Sequence, residues 1–340
     1  MKPFSALQLQ LLDCLSDGKC HSGNVIGEKL GVSRTAVWKQ ISQLTESGLK
    51  IQRIPQKGYQ LNRPFHAINE VRLRERLGDS PVRRTIDFHL FSEVDSTNRY
   101  LKDLKSSGLL SVCCAEKQSQ GRGRFGRHWV SPFGENIYVS SRWELNCCLS
   151  KLSGLSLVVS LAVLESLKKN NINQDIRVKW PNDLIWNDKK LCGVLIEVTA
   201  ETNGSVVIII GIGINVNTDT KKQPLSDKPW CSLYEITNNY FDRNILIADL
   251  LHMLENHLDQ FLQKGFQFFQ KNWQQVDYLE GKYVTVSQAH GSINGQACGV
   301  TESGQLCLID EEGRRHHLSS GDTSLSDFAS GFVSKGGSSS

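Results

Sequence analysis

The chain has 340 residues and a net charge of +4, from 39 Lys and Arg against 35 Asp and Glu. That length suits two or three domains with a substantial core, and so mild a charge does not mark the whole chain as a nucleic-acid or membrane-surface binder. No apolar run reaches membrane-span length, the N-terminus has no continuous apolar core and carries Asp13 early, and none of the ten cysteines falls in a CxxC pair with zinc-site spacing, so a cytoplasmic protein with reduced thiols, no membrane contact and no structural metal is expected.

In chain order, Leu7, Leu11, Leu12 and Leu15 fall on one helical face that ends near Asp17-Gly18. Ser22 can cap a second short helix with Val25, Ile26 and Leu30. Gly31-Val32-Ser33 reads as a tight turn, with Ser33 capping a third helix whose core face is Val37, Ile41 and Leu44. Arg34, Thr35, Trp38 and Lys39 lie on its other faces. Residues 51–61 alternate loosely around Pro55-Gln56-Lys57-Gly58, as a hairpin does. Helix, tight turn and a helix with a basic start is the helix-turn-helix pattern. Taken alone, the segment fits a helical packing module with an incidental basic face equally well. Asn62-Arg63-Pro64 reads as a boundary.

A new amphipathic helix is expected over 68–77. Strand-like runs then alternate with helical ones, which makes the middle of the chain mixed α/β. Strands are expected at 88–91, 113–116 and 137–143, a long helix at 152–168, and strands at 176–180, 184–186, 191–198 and 206–214, with a turn at Asn187-Asp188. Four motifs sit between them. Asp95-Ser96-Thr97-Asn98 precedes a helix that Ser96 or Thr97 could cap. Gly121-Arg122-Gly123-Arg124-Phe125-Gly126-Arg127-His128-Trp129 combines a backbone that approaches ligands closely with fixed charges suited to phosphate and carboxylate oxygens. Lys179-Trp180-Pro181-Asn182-Asp183 leads to Lys189-Lys190-Leu191-Cys192-Gly193, where Lys190 could be an ordinary exposed hairpin lysine. Gly211-Ile212-Gly213-Ile214-Asn215 closes a buried strand. No Gly-x-x-x-x-Gly-Lys-Ser/Thr motif is present, so a P-loop is excluded. Helices over 245–261 and 266–273 follow, then short glycine-separated strands at 283–286, 293–300, 305–309 and 314–318, as in a small barrel. The glycine- and serine-rich tail, 328–340, reads as disordered.

The four motifs, in this order, resemble the biotin–protein ligases. With the N-terminal segment and its Ser-Arg-Thr-Ala-Val-Trp-Lys run, the whole resembles the bifunctional bacterial biotin–protein ligase and biotin operon repressor. The resemblance implies an α+β, multidomain protein: a winged helix-turn-helix over 1–62, a class II synthetase-like catalytic domain over 67–273 and an SH3-like domain over 275–327. It implies ATP-dependent activation of biotin to biotinyl-5′-AMP, with Mg²⁺ accompanying the nucleotide. Biotin then passes to a lysine of the biotin carboxyl carrier protein of acetyl-CoA carboxylase. Carried over residue by residue, it puts biotin against Ser96, Thr97, Asn98, Gln118, Gly121, Arg122, Gly123, Arg124, Lys190 and Gly193. The adenylate falls to Arg122, Arg127, Trp129, Lys179, Asn182 and Asn215. Arg124, Lys190 and Asp183 are the candidate catalytic residues, and Ser33, Arg34, Thr35, Trp38, Lys39 and Lys57 the candidate DNA contacts. The adenylate-bound form is expected to dimerise on operator DNA and repress biotin biosynthesis genes. Phe125 departs from a position often basic in this loop. A lipoate ligase or octanoyltransferase is disfavoured by the lack of its own motif, and a repressor without ligase activity by the intact arginines and Lys190. The alternative kept is a ligase whose N-terminal module does not repress.

Overall fold

In the computed structural model, residues 3–78, 84–105, 108–202, 205–221, 228–289 and 291–325 are described; the tail at 328–340 lies outside them. Three helices open the chain. α1 (Ala6–Leu15) starts at a capping box, Ser5 Oγ accepting from the Gln8 backbone and Gln8 Oε1 from that of Ser5. α2 (Gly23–Leu30) is capped by Ser22 and ends at Gly31, whose φ of 66° needs no Cβ. Ser33 caps α3 (Arg34–Glu46). β1 (Ile51–Ile54) and β2 (Gly58–Leu61) pair antiparallel as the expected hairpin. Leu11, Leu12, Leu15, Ile26, Val37, Ile41 and Leu44 form the core of this module, and Phe65 and Phe133 join it from outside.

α4 (Glu70–Gly78) leads into a seven-stranded sheet: β3 (Ile86–Phe91), β4 (Leu110–Ala115), β5 (Ile137–Leu145), β6 (Arg177–Lys179), β7 (Asp183–Trp186), β8 (Lys189–Thr202) and β9 (Ser205–Ile214). The spatial order is β3-β4-β5-β9-β8-β7-β6, with β3–β4 parallel and the other pairs antiparallel. The first α/β unit, with α5 (Thr97–Asp103) between β3 and β4, explains the parallel pair.

The main core lies on one face of this sheet, under α6 (Leu155–Lys169) and α8 (Arg243–Lys264). α6 starts later than periodicity suggested. Leu149–Leu152 is a separate 3-10 turn, and the left-handed backbone at Gly154 (φ 81°) breaks the path; a Cβ there would also lie 2.9 Å from Phe266. The helix expected over 266–273 is likewise split into a 3-10 turn and α9 (Gln270–Val276). The short α7 (Leu233–Thr237) carries no periodic signal and was not anticipated. Asp242 caps α8, and Arg243 is buried in an ion pair with Glu116. That arginine also donates to the carbonyls of Asn136 and His66, so neither charge is left unsolvated alone.

The chain ends in a five-stranded antiparallel sheet: β10 (Tyr283–Gln288), β11 (Gly291–Val300), β12 (Leu306–Ile309), β13 (Arg315–Leu318) and β14 (Asp322–Leu325), ordered β13-β12-β11-β10-β14. β14 was not foreseen, its four residues being too few and too polar to read as a strand.

Candidate active site

β9 runs Ile208-Ile209-Ile210-Gly211-Ile212-Gly213-Ile214. A period of two sends Ile208, Ile210, Ile212 and Ile214 into the main core and turns Ile209, Gly211 and Gly213 to the opposite face. The register puts Tyr138 and Ser140 of β5 beside Gly213 and Gly211, and Gly193, Leu195 and Glu197 of β8 beside Gly213, Gly211 and Ile209. The result is a sheet floor with no side chains at its middle. A cavity of about 440 Å³ opens over it.

Other groups occupy the space those glycines release. A Cβ at Gly211 would come within 2.1 Å of Asn98 Oδ1, and one at Gly213 within 2.6 Å of the Trp129 indole. A Cβ at Gly193 would meet Trp129 at 3.1 Å and Lys190 Nζ at 3.2 Å.

At one end of the cavity stand Ser96, Thr97, Asn98 and Gln118, all buried. Gln118 Oε1 accepts from the backbone and hydroxyl of Thr97 (2.9 and 3.1 Å), and its amide donates to Ser131 Oγ. Ser140 Oγ lies 2.6 Å from Asn98 Oδ1 and 2.7 Å from Thr97 Oγ1, donating to one at a time. Asn98 Nδ2 donates to Glu197 Oε2 (2.8 Å) and faces the Leu195 carbonyl (3.5 Å). Both amide hydrogens of Asn98 therefore have acceptors within the protein. Ser96 occupies the N-cap position of α5 without a side-chain cap bond, and Thr97 is the first helical residue, its hydroxyl donating to Gln118, so neither expected cap forms.

The other end is cationic. Arg122, Gly123, Arg124 and Arg127 line it from the glycine–arginine loop, with Lys179, Asn182, Asp183, Lys190 and Asn215 opposite. Lys190 Nζ pairs with Asp183 Oδ1 at 2.8 Å and sits 5.4 Å from the Trp129 ring centroid. Arg124 donates to Asn182 Oδ1 (3.1 Å), and Asn182 donates to the Val194 carbonyl. Burial lowers the pKa of both Arg124 and Lys179, against the opposing fields of Asp183 and Asp322. Two half-buried cations facing the cavity make the site receptive to an anion. Among the described residues the buried Trp129 indole N–H has no acceptor.

The loop's path has a cause. Trp129 N donates to the Gly121 carbonyl and Gly123 N to that of Arg127, which pinches the loop at its neck. Phe125 takes a left-handed φ of 55°, is exposed, and has the Arg124 guanidinium 5.0 Å from its ring. Gly121 is buried in that neck under the Trp129 carbonyl, where a Cβ would approach to 2.3 Å, and does not line the cavity. The other expected ligand residues do line it.

Sequence reasoning missed several residues that line the cavity or brace its walls. Ser131, Ser140 and Glu197 complete the hydrogen-bonded end; the period of two from Gly193 through Leu195 would have reached Glu197. Asp322 and Thr323 of β14 enter from the C-terminal sheet: Asp322 pairs with Arg127, and the Thr323 carbonyl accepts from Lys179 at 2.7 Å. The hydrogen bond from Arg127 holds the Asp322 carboxyl below its ordinary pKa. Among the described residues no group of three His, Cys, Asp or Glu side chains could hold a metal ion, and no helix is long and apolar enough to cross a membrane. Among the described residues no disulfide bond joins any of the cysteines. The expected DNA contacts, Ser33, Arg34, Thr35, Trp38, Lys39 and Lys57, are all exposed on the N-terminal module and take no part in the cavity.

Comparison with known proteins agrees with this geometry. The signature of the Biotin/lipoate A/B protein ligase family matches residues 90–215, that of an HTH domain residues 7–60, and that of the Biotin protein ligase C terminal domain residues 281–326. The Bifunctional ligase/repressor BirA of Salmonella typhimurium (strain LT2) is 35% identical over 313 residues, 91% of this chain and 94% of its own. That of Escherichia coli (strain K12) gives the same identity and coverage. The structure of the biotin protein ligase from Aquifex aeolicus in complex with biotin and ATP is similar at a TM-score of 0.60 and 32% identity, covering 71% of this chain and 98% of that one. With such identity along nearly the whole of both chains, the protein belongs to the bifunctional biotin–protein ligase and repressor family.

Proposed function

We propose that the cavity carries out both steps of biotin transfer, with the residues divided between its two ends. Ser96, Thr97, Asn98 and Gln118 receive the neutral ureido head of biotin. A buried polar head requires donors and acceptors already in place, and the preformed network from Ser131 through Gln118, Thr97 and Ser140 to Asn98 supplies that frame. The carboxylate end then points to Arg122, Arg124 and Lys190.

In the first step a biotin carboxylate oxygen attacks the α-phosphorus of ATP, the bond to the bridging β-oxygen breaks, and pyrophosphate leaves. Charge on the reacting oxygens is offset by Arg124 and Lys190. Lys190 is paired with Asp183 beforehand, so the incoming anion takes over the lysine and releases the carboxylate. Lys179, Arg127 and Asn182 serve the phosphates, and Trp129 and Asn215 the adenine side. Mg²⁺ bound with the nucleotide would shield phosphate charge, and Asp183 would be a cavity carboxylate available to hold it. In the second step the carrier lysine attacks the anhydride carbonyl, the C–O bond to phosphate breaks, AMP leaves, and the freed Asp183 accepts the amine proton. Closure of the loop at 121–129 keeps water from the anhydride. Gly123 and Gly193 give the room, and Gly121 forms the hinge of the loop.

The acceptor is the biotin carboxyl carrier protein of acetyl-CoA carboxylase, in the cytoplasm. The N-terminal module, with Ser33, Arg34, Thr35, Trp38, Lys39 and Lys57 exposed, reads operator DNA as half of an adenylate-bound homodimer. The observation that carries the reading is the side-chain-free floor lying between a neutral polar wall and a cluster of partly desolvated cations. Single-turnover mixing with biotin and MgATP tests it: one pyrophosphate and one bound biotinyl-5′-AMP should form per site. Pyrophosphate release without biotin, or none with it, would contradict it.

A further inference from the structure

The hydrogen-bonded end of the cavity does not stop at its own wall. Glu197 of β8 accepts from Asn98 Nδ2 through one oxygen (2.8 Å) and from Arg122 Nη1 through the other (3.1 Å). From Asn98 the path continues to Ser140, whose hydroxyl lies within reach of both Asn98 Oδ1 and Thr97 Oγ1, then from the Thr97 backbone N–H to Gln118 and on to Ser131 Oγ, which donates to the Trp129 carbonyl at 3.0 Å. The path leaves the glycine–arginine loop at Arg122 and re-enters it at Trp129. Both ends of the loop are thus tied to the wall proposed to hold the ureido head. Ser131 makes the second tie with neutral groups. Glu197 makes the first with a charge, and a charge-assisted bond is the stronger kind.

We propose that Glu197 is a positioning residue that aims Arg122 and fixes the Asn98 amide, so that occupation of the head-group wall and closure of the loop occur as one event. The inference rests on the roles given above to Arg122 and Asn98. Three details support it. Glu197 follows Gly193 and Leu195 on the site face of β8 yet is not among the residues lining the cavity, so it acts through its partners. Its carboxylate fixes which way the Asn98 amide points, because only the NH₂ group can donate to it while Oδ1 faces Ser140. It holds Arg122 by a single nitrogen, Nη1, which leaves the other guanidinium N–H groups for a ligand oxygen. Glu197 and Arg122 are both partly exposed, so the pair contributes aim rather than fold stability.

The test is the rate at which preformed biotinyl-5′-AMP leaves the full-length protein, followed after a chase with excess biotin and MgATP. Glu197→Gln keeps the shape and one acceptor and removes the charge. Release should be about fivefold faster, in keeping with the loss of one charged hydrogen bond at a half-exposed site, with the thermal unfolding midpoint unchanged. Arg122→Ala should also release faster, and adding Glu197→Gln to it should change little more, because the two act as one unit. Glu197→Asp, which keeps the charge, should recover part of the retention. Additive effects, or a Glu197→Gln protein that retains the adenylate like the parent while Arg122→Ala does not, would overturn the proposal for Glu197 alone. An Arg122→Ala protein with unchanged retention would overturn both this proposal and the role given to Arg122.

Discussion

Two glycines in β9 divide the cavity. Gly211 makes room for Asn98 and Gly213 for the Trp129 ring, with added Cβ atoms arriving at 2.1 and 2.6 Å respectively. A methyl inserted at either place forces its neighbour to move, at roughly 1–3 kcal/mol, or about 5- to 150-fold in affinity. Gly211→Ala should therefore weaken biotin more than ATP, and Gly213→Ala ATP more than biotin. Calorimetric titration of each variant with each ligand checks this; equal losses would refute the two-ended arrangement. Lys190→Ala should fold normally and slow adenylate formation by about 100-fold, since one fixed charge at the reacting oxygens is removed; an unchanged single-turnover rate would take Lys190 out of the chemistry. At this scale the glycine–arginine loop was legible from its own residues, because glycine and arginine at short spacings carry a chemical meaning; Lys190 and the Ser96-Thr97-Asn98 run came only from the family resemblance. Glu197, Ser131 and Ser140 were legible from neither. They are ordinary residues whose roles depend on strand register, which a sequence does not display.

The elements set limits on what the site can do. β14 reaches the cavity from the C-terminal sheet, and Asp322 ties Arg127 of the loop to it. Asp322 has a depressed pKa in the fold, so its contribution is fully present above the ordinary aspartate value of about 3.9 and lost as pH falls through the lower folded value. Amide-exchange protection of residues 122–128 should be greater in the parent than in Asp322→Asn at neutral pH, and the two should converge under strongly acidic conditions. No difference at neutral pH would show that the tie does not restrain the loop. A second link runs the other way. Phe133, just beyond the loop, is buried among Phe4, Phe65 and the helices of the N-terminal module, with ring centroids 6.1 Å from Phe4 and 6.4 Å from Phe65. Phe133→Ala should cost roughly 3–5 kcal/mol at that core, and denaturant unfolding should show it as an earlier transition of the N-terminal module. The helices with clean apolar periodicity were legible in the sequence; β14 and α7, too short to carry a period, were not.

At the scale of the whole molecule, the loop lines the cavity and is tied to the C-terminal sheet through Arg127, and Phe133, four residues beyond Trp129, is buried in the N-terminal core. If the adenylate-bound form is the one that reads DNA, as proposed, ligand and DNA binding are linked, and the linkage is reciprocal. Adenylate should raise affinity for a palindromic operator, and operator DNA should slow adenylate release by the same factor. The binding should fall steeply with salt, and Arg34→Ala or Lys39→Ala should weaken it while leaving biotin transfer intact; gel shifts with and without biotin and ATP decide this, and equal affinity in both would remove the repressor from adenylate control. The three-part order of the chain was legible because each part has its own period, helical, mixed and then short strands. The contacts that join the parts were not, since Asp322 meets Arg127 across 195 positions of sequence. The central claim is that this one cavity moves biotin from solution to a protein lysine. Intact-mass spectrometry of a biotin carboxyl carrier domain, incubated with the protein, biotin and MgATP, measures it directly. The account predicts one biotinyl group per carrier, on its acceptor lysine and dependent on both biotin and ATP; a competent carrier that gains no mass would contradict it.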